Sequence, residues 1–157
     1  MVWHEKSDII VMLTNLEEPS GMKCQQYWPE KGGNIWYEDV CVSLQRAEFF
    51  AEYNIRTFTI SNNEERRLLT HLHYTAWPDK KVPEDATSLL EFRQRLRATP
   101  TSAKGPIVIH CSAGIGRTGT LIALDRLIEE GQCEGYINVF ECVKKMRAQR
   151  VKMVQTQ

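Results

Sequence analysis

Apolar residues along this chain fall into short runs divided by turn-rich segments, and the spacing within each run predicts its element. Ile9 to Leu13 is a continuous apolar run of buried-strand length. The stretches from Asn34 to Leu44 and from Tyr53 to Ser61 are rich in aromatic and β-branched residues with partial alternation, which predicts sheet strands. Another strand is predicted from about Arg67 to Tyr74. It ends at Ala76-Trp77-Pro78-Asp79-Lys80-Lys81-Val82-Pro83, where two prolines preclude regular structure and a loop is expected. Between Pro83 and Pro100, Leu89, Leu90, Phe92 and Leu96 recur at helical spacing behind acidic Glu84 and Asp85. A short buried-type strand, Gly105 to His110, leads into glycine-rich Cys111 to Gly116. A helix follows, carrying Leu121, Leu124, Leu127 and Ile128 before Gly131. The last helix, roughly Asn138 to Arg150, places Val139, Val143 and Met146 on one face. This order predicts an α/β fold, a mixed twisted sheet flanked by helices. No repeat or low-complexity tract divides it, so residues 1–157 read as a single domain.

Composition narrows the function. Twenty basic and twenty acidic residues cancel, so the overall field gives no sign of nucleic-acid or anionic-membrane binding, and any anion site must be local. The longest apolar runs, Ile9 to Leu13 and Pro106 to Ile109, are far too short for a membrane span, and no signal segment opens the chain. Cysteines at 24, 41, 111, 133 and 142 form no C-x-x-C pair, and His4, His71 and His73 lack metal-ligand spacing. Neither a disulfide framework nor a metal centre is predicted, no cofactor is expected, and a reducing, cytoplasmic setting fits.

The chemistry concentrates in His110-Cys111-Ser112-Ala113-Gly114-Ile115-Gly116-Arg117-Thr118-Gly119. A cysteine stands at the end of a strand and an arginine at the start of a helix. Two glycines let the intervening loop curl so that successive N–H groups face inward, and the helix N-terminus adds partial positive charge. Such a nest fits a phosphate dianion, and the same field favours a thiolate at Cys111, the predicted nucleophile. The planar guanidinium of Arg117 is suited to holding two phosphoryl oxygens. A hydroxyl from Thr118 toward the sulfur would help it leave a phosphocysteine intermediate.

HCSAGIGRTGT resembles the full signature of the protein tyrosine phosphatase family, beyond its C-x5-R skeleton. KCQQYWP at 23–29, HYTAWPD at 73–79 and MRAQRVKMVQT at 146–156 occur in the family's order, so the resemblance covers essentially the whole chain. VMLTNLEE, AEYNIRTFTI and KGPIVIHCSAGIGRTGT are most similar to receptor-type catalytic domains.

The resemblance implies hydrolysis of phosphotyrosine in proteins through a phosphocysteine, without a metal. It implies that Asp79 is a mobile general acid and later a base, that Trp77 and Pro78 form the hinge side of its loop, and that Gln155, followed by Thr156, positions the hydrolytic water. Glu18 matches the carboxylate that orients the signature arginine, Lys23 a residue beside the acid loop, and Arg147 a brace for the cradle. The loop from Cys111 to Arg117, with Asp79 and Gln155, is the implied substrate-binding surface. Lys81 stands where the family usually has glycine, which puts the closing rate of the acid loop in question.

Matched to the family, the chain is expected to be an incomplete catalytic domain. It lacks the N-terminal phosphotyrosine-recognition portion before Met1, and the second glutamine and closing helices after Gln157. An impaired fragment that binds phosphotyrosine proteins as a pseudophosphatase is therefore an alternative, although cysteine, arginine and acid are all present. A dual-specificity or phosphoinositide phosphatase is another, against which KCQQYWP and the tryptophan-led acid loop argue.

Overall fold

The computed structural model describes residues 1–83, 85–102 and 104–155. The chain forms two compact units, Met1–Ile109 and His110–Gln157.

The first unit is built on a six-stranded mixed sheet. Its strands are β1 (Ile9–Met12), β4 (Asn34–Tyr37), β5 (Val40–Phe49), β6 (Tyr53–Ser61), β7 (Arg66–Tyr74) and β8 (Val108–His110), in the order β4-β5-β6-β7-β1-β8. The two-residue strands β2 (Glu17–Glu18) and β3 (Gly21–Met22) form a separate antiparallel pair. Strands β4 to β7 are antiparallel in succession, and β1 joins β7 in parallel.

β1 is buried on both faces, as its unbroken apolar run requires of a parallel strand inside a sheet. On one face Ile10 and Met12 pack with Trp28, Phe58, Ile60 and Leu69. Helix α1 (Thr87–Ala98) directs Phe92 against the rings of Tyr53 and Tyr74, and the Tyr74 hydroxyl meets Ser88 Oγ at 2.6 Å. His71 and His73 belong to the aromatic cluster around Trp28. His71 bonds the Tyr27 hydroxyl at 2.9 Å, and His73 donates from Nε2 to the Thr14 carbonyl at 2.8 Å.

The second unit consists of the loop after β8, helix α2 (Arg117–Glu134), helix α3 (Val139–Gln149) and the segment that follows it. Ala123 of α2, Met146 of α3 and Met153 form its core. Gly135, at φ 78°, caps α2, and the Asn138 side chain accepts the Glu141 N–H at the start of α3. No helix among the described residues is long and apolar enough to cross a membrane.

Several boundaries differ from those the sequence predicts. The run from Asn34 to Leu44 is two strands, because Glu38 turns the chain at φ 57° and Tyr37 pairs with Val40. A Glu-Asp turn carries none of the usual glycine or asparagine signal. α1 starts at Thr87, so the expected acids lie ahead of it: the Asp85 carboxylate accepts the Thr87 N–H and hydroxyl, and Glu84 lies outside the described residues. α2 runs through Gly131 and stops at Gly135, the position with left-handed backbone. On α3 the buried side is centred on Met146, with Cys142 and Val143 half-buried, whereas Val139 is exposed, being at the first turn where nothing covers it. Cys133 is exposed near the end of α2.

The close approach of Met153 and Val154 to the first turn of α2 rests on Gly119. A Cβ there would lie 2.4 Å from the Val154 nitrogen, a backbone atom that cannot step aside without moving its segment. Gly119→Ala is therefore expected to destabilise the second unit by about 1–3 kcal/mol, read as a lower denaturation midpoint, despite the better helix propensity of alanine.

Candidate active site

In the second unit the chain leaves β8 and curls at once around a sulfur. Cys111 is buried, and its Sγ accepts the Gly114 N–H at 3.3 Å. Gly114 has φ 70°, a conformation that turns its amide toward the sulfur and that a side chain would strain. Gly116 precedes the first residue of α2, Arg117, so the guanidinium is carried by the helix terminus that closes the loop. Ser112 and Ala113 are exposed on the rim, and Gly114, Ile115, Gly116 and Arg117 are half-buried.

Burial alone raises the pKa of the Cys111 thiol. The Thr118 side chain outweighs it together with the N–H groups of Thr118, Gly114 and Ile115, and the net shift is downward from the ordinary 9.0. The Thr118 hydroxyl is itself buried and makes no hydrogen bond of good geometry, so it acts on the sulfur as a nearby dipole. His110 donates from Nδ1 to the Cys111 carbonyl at 3.0 Å.

The outer wall of the loop is held by the chain after α3. The Val154 N–H bonds the Ile115 carbonyl at 3.0 Å, and Gln155 lies against Gly116, 3.5 Å from where a Cβ would stand. Arg147 donates to the carbonyls of Met153 and Val154 at 2.9 and 2.8 Å. It therefore braces the segment that carries Gln155 and reaches the cradle only through it. The direct contact comes from Arg150, which the sequence reading missed: its Nη2 donates to the Ala113 carbonyl at 3.3 Å and covers Gly114. Its place in MRAQRVKMVQT was the available signal. Thr156 lies outside the described residues.

The first unit holds the second group of candidate residues. The Asp79 carboxylate accepts the Ser20 N–H at 2.7 Å and faces the Lys23 ammonium at 3.4 Å. Lys23 also donates to the Ser20 hydroxyl. Ser20 is the first cause of a pKa held well below the ordinary carboxyl range, with Glu18 and Lys23 adding to it against a smaller opposing effect of burial. Asp79 is thus ionised in this arrangement, and a carboxyl that is to donate a proton must first leave it. Ser20 acts through its side chain first and its backbone N–H second, and the sequence reading did not single it out.

Trp77 is buried and donates from Nε1 to the Lys81 carbonyl at 2.9 Å, clasping the loop across Pro78 and Asp79. The left-handed residue of this turn is Lys80, at φ 55°; Lys81 is not among the residues with positive φ, so a side chain there strains no backbone. Glu18 is buried and accepts from the Thr14 hydroxyl and the Asn15 N–H. The predicted residues are therefore gathered into two sets: Cys111 to Thr118 with Gln155, and Glu18, Lys23, Trp77, Pro78 and Asp79.

The protein-tyrosine phosphatase family model matches residues 1–157. The chain belongs to the protein-tyrosine phosphatase family. It is 42% identical over 159 residues to a receptor-type tyrosine-protein phosphatase U of Gallus gallus and 45% identical over 159 residues to a Lar-like tyrosine-protein phosphatase of Caenorhabditis elegans. It is 40% identical over 161 residues to a receptor-type tyrosine-protein phosphatase C of Mus musculus. Each match takes in all of this chain but only 11%, 7% and 12% of the respective relative.

Two outcomes test the electrostatics of this phosphatase-family chain. Alkylation of Cys111 followed against pH should show a midpoint below 9.0, and Thr118→Ala should move that midpoint upward. For Asp79 the folded pKa lies below the unperturbed 3.8, so its contacts stabilise the first unit above that pH, and the contribution fades as pH falls toward the folded value. Asp79→Asn should accordingly lower the thermal midpoint at neutral pH, with the gap to wild type narrowing below about pH 4.

Proposed function

We propose that this chain hydrolyses phosphotyrosine in proteins through a phosphocysteine intermediate. The observation that carries the reading is a buried cysteine whose thiolate is stabilised by Thr118 and a curl of backbone N–H groups, ahead of an arginine at a helix terminus. In the first step Cys111 attacks phosphorus, the phosphoryl oxygens take the place of the sulfur's negative charge at the N–H groups and Arg117, and Asp79 gives the tyrosine oxygen its proton. In the second, water positioned by Gln155 attacks the phosphocysteine, Asp79 accepts its proton, and Thr118 eases departure of the thiolate. Family membership and the order of the motifs support these assignments.

Ionised Asp79, bonded to Ser20, represents a resting arrangement in this reading. Closing the loop takes the carboxylate away from Ser20 and lets its pKa rise toward the ordinary 3.8, so that a larger fraction of it holds a proton. Glu18 and Lys23 are positioning residues, and so is Arg147 through the segment bearing Gln155. Phosphotyrosine proteins are the proposed partners. Balanced overall charge gives no support to nucleic acid as a partner, and five free thiols suit the cytoplasmic side of a membrane receptor or the cytoplasm itself.

The test is phosphate release from a phosphotyrosine peptide by the chain, with chelator present, beside a matched phosphoserine peptide and the variants Cys111→Ser and Asp79→Ala. The expected result is chelator-resistant turnover of phosphotyrosine alone. It should vanish with Cys111→Ser and fall on the order of 10²–10⁴-fold in kcat with Asp79→Ala, the range of a lost general acid. Phosphotyrosine binding without turnover by a folded chain would favour the pseudophosphatase reading, and equal turnover of phosphoserine the dual-specificity one.

A further inference from the structure

We propose that Tyr136 is itself a phosphorylation site, a substrate position for a protein tyrosine kinase on the connection between α2 and α3. The five tyrosines differ sharply in availability. Tyr27 is partly buried with its hydroxyl on His71, Tyr53 is wedged between Phe50 and Phe92, and Tyr74 is fully buried on Ser88. Tyr37 sits in β4, paired to β5, with its hydroxyl bonded to the Tyr27 carbonyl. Tyr136 is 61% exposed and lies in an irregular segment, directly after the left-handed Gly135 that ends α2 and two residues before the Asn138 cap of α3. Its whole neighbourhood is open, since Gln132 through Phe140 are all exposed.

The flanking chemistry suits a kinase cleft. Glu129, Glu130 and Glu134 precede the tyrosine and offer negative charge to the basic groups of a phosphate-transferring site, while exposed Ile137 and Val139 follow at the first and third positions. The transfer balances with ATP as co-substrate. The tyrosyl oxygen forms a bond to the γ-phosphorus, the bond from that phosphorus to the ADP oxygen breaks, and the phenolic proton passes to the kinase's catalytic carboxylate.

The product would be a dianion set among carboxylates. Glu134 and Glu130 lie close enough to the phenol to raise its pKa, and Glu130 Oε2 accepts the Asn138 N–H at 3.4 Å. Phosphate at Tyr136 repels both acids and so loosens the junction at which α3 begins. Nothing in this inference depends on the chain's own hydrolytic activity.

The experiment uses the full chain as Cys111→Ser, so that self-removal of phosphate plays no part. It is incubated with Mg-ATP and a soluble tyrosine kinase domain that prefers acidic residues ahead of its target, and the phosphorylated sites are mapped by mass spectrometry. Tyr136 is expected as the dominant site, with the label lost in the Tyr136→Phe form and the Asn138 amide exchanging hydrogen faster once phosphate is present. Labelling confined to other tyrosines, or none at all, overturns the proposal. A synthetic peptide spanning residues 129–141 tells why: if it is labelled the folded loop is closed to the kinase, and if it is not the flanking residues fail to recruit one.

Discussion

A buried sulfur whose negative charge is favoured by its surroundings is the constraint around which the second unit is arranged. Burial alone would raise the Cys111 pKa, so opposing dipoles must be supplied from within the chain, and they come from Thr118 and from amides that the loop aims by curling. The curl in turn requires the left-handed backbone at Gly114 and a helix that starts at once after Gly116. That helix start brings the N–H of Thr118 to the sulfur. Val154 then fastens the loop from outside through the Ile115 carbonyl, which is possible only where Gly119 leaves the approach open. Loop, helix and trailing segment are thus one electrostatic device with several mechanical parts.

The first unit poses the complementary problem. A thiolate must be ionised to attack, whereas an acid must be protonated to donate, and Asp79, the acid of the proposed reaction, is kept ionised by Ser20, Glu18 and Lys23. In the proposed reaction the carboxylate would have to change partners before it could donate a proton, because the β2–β3 turn holds it ionised here.

Much of this was legible in the sequence because it depends on residue type. Strand β6 was readable at its observed limits from aromatic and β-branched density, and the cradle from the spacing of Cys111, the glycines and Arg117. What escaped depends on backbone geometry. The turn at Glu38 uses a residue that rarely adopts positive φ, the partner of Asp79 is a main-chain N–H of Ser20, and Gly131 and Gly135 offer equal stop signals of which only the second is left-handed. Arg147 and Arg150 illustrate the same limit: both were visible as basic residues near the end of α3, but which carbonyl each reaches is settled by where the chain turns after Gln149.

The left-handed Lys80 gives the acid loop an internal spring. A non-glycine residue at φ 55° sits roughly 1–2 kcal/mol above its relaxed state, and that cost opposes the Ser20 and Lys23 contacts which hold the neighbouring carboxylate. If Lys80 relaxes when these contacts are given up, release of that strain offsets part of their loss. Lys80 and Lys81 thus differ in kind, the first carrying backbone strain and the second none.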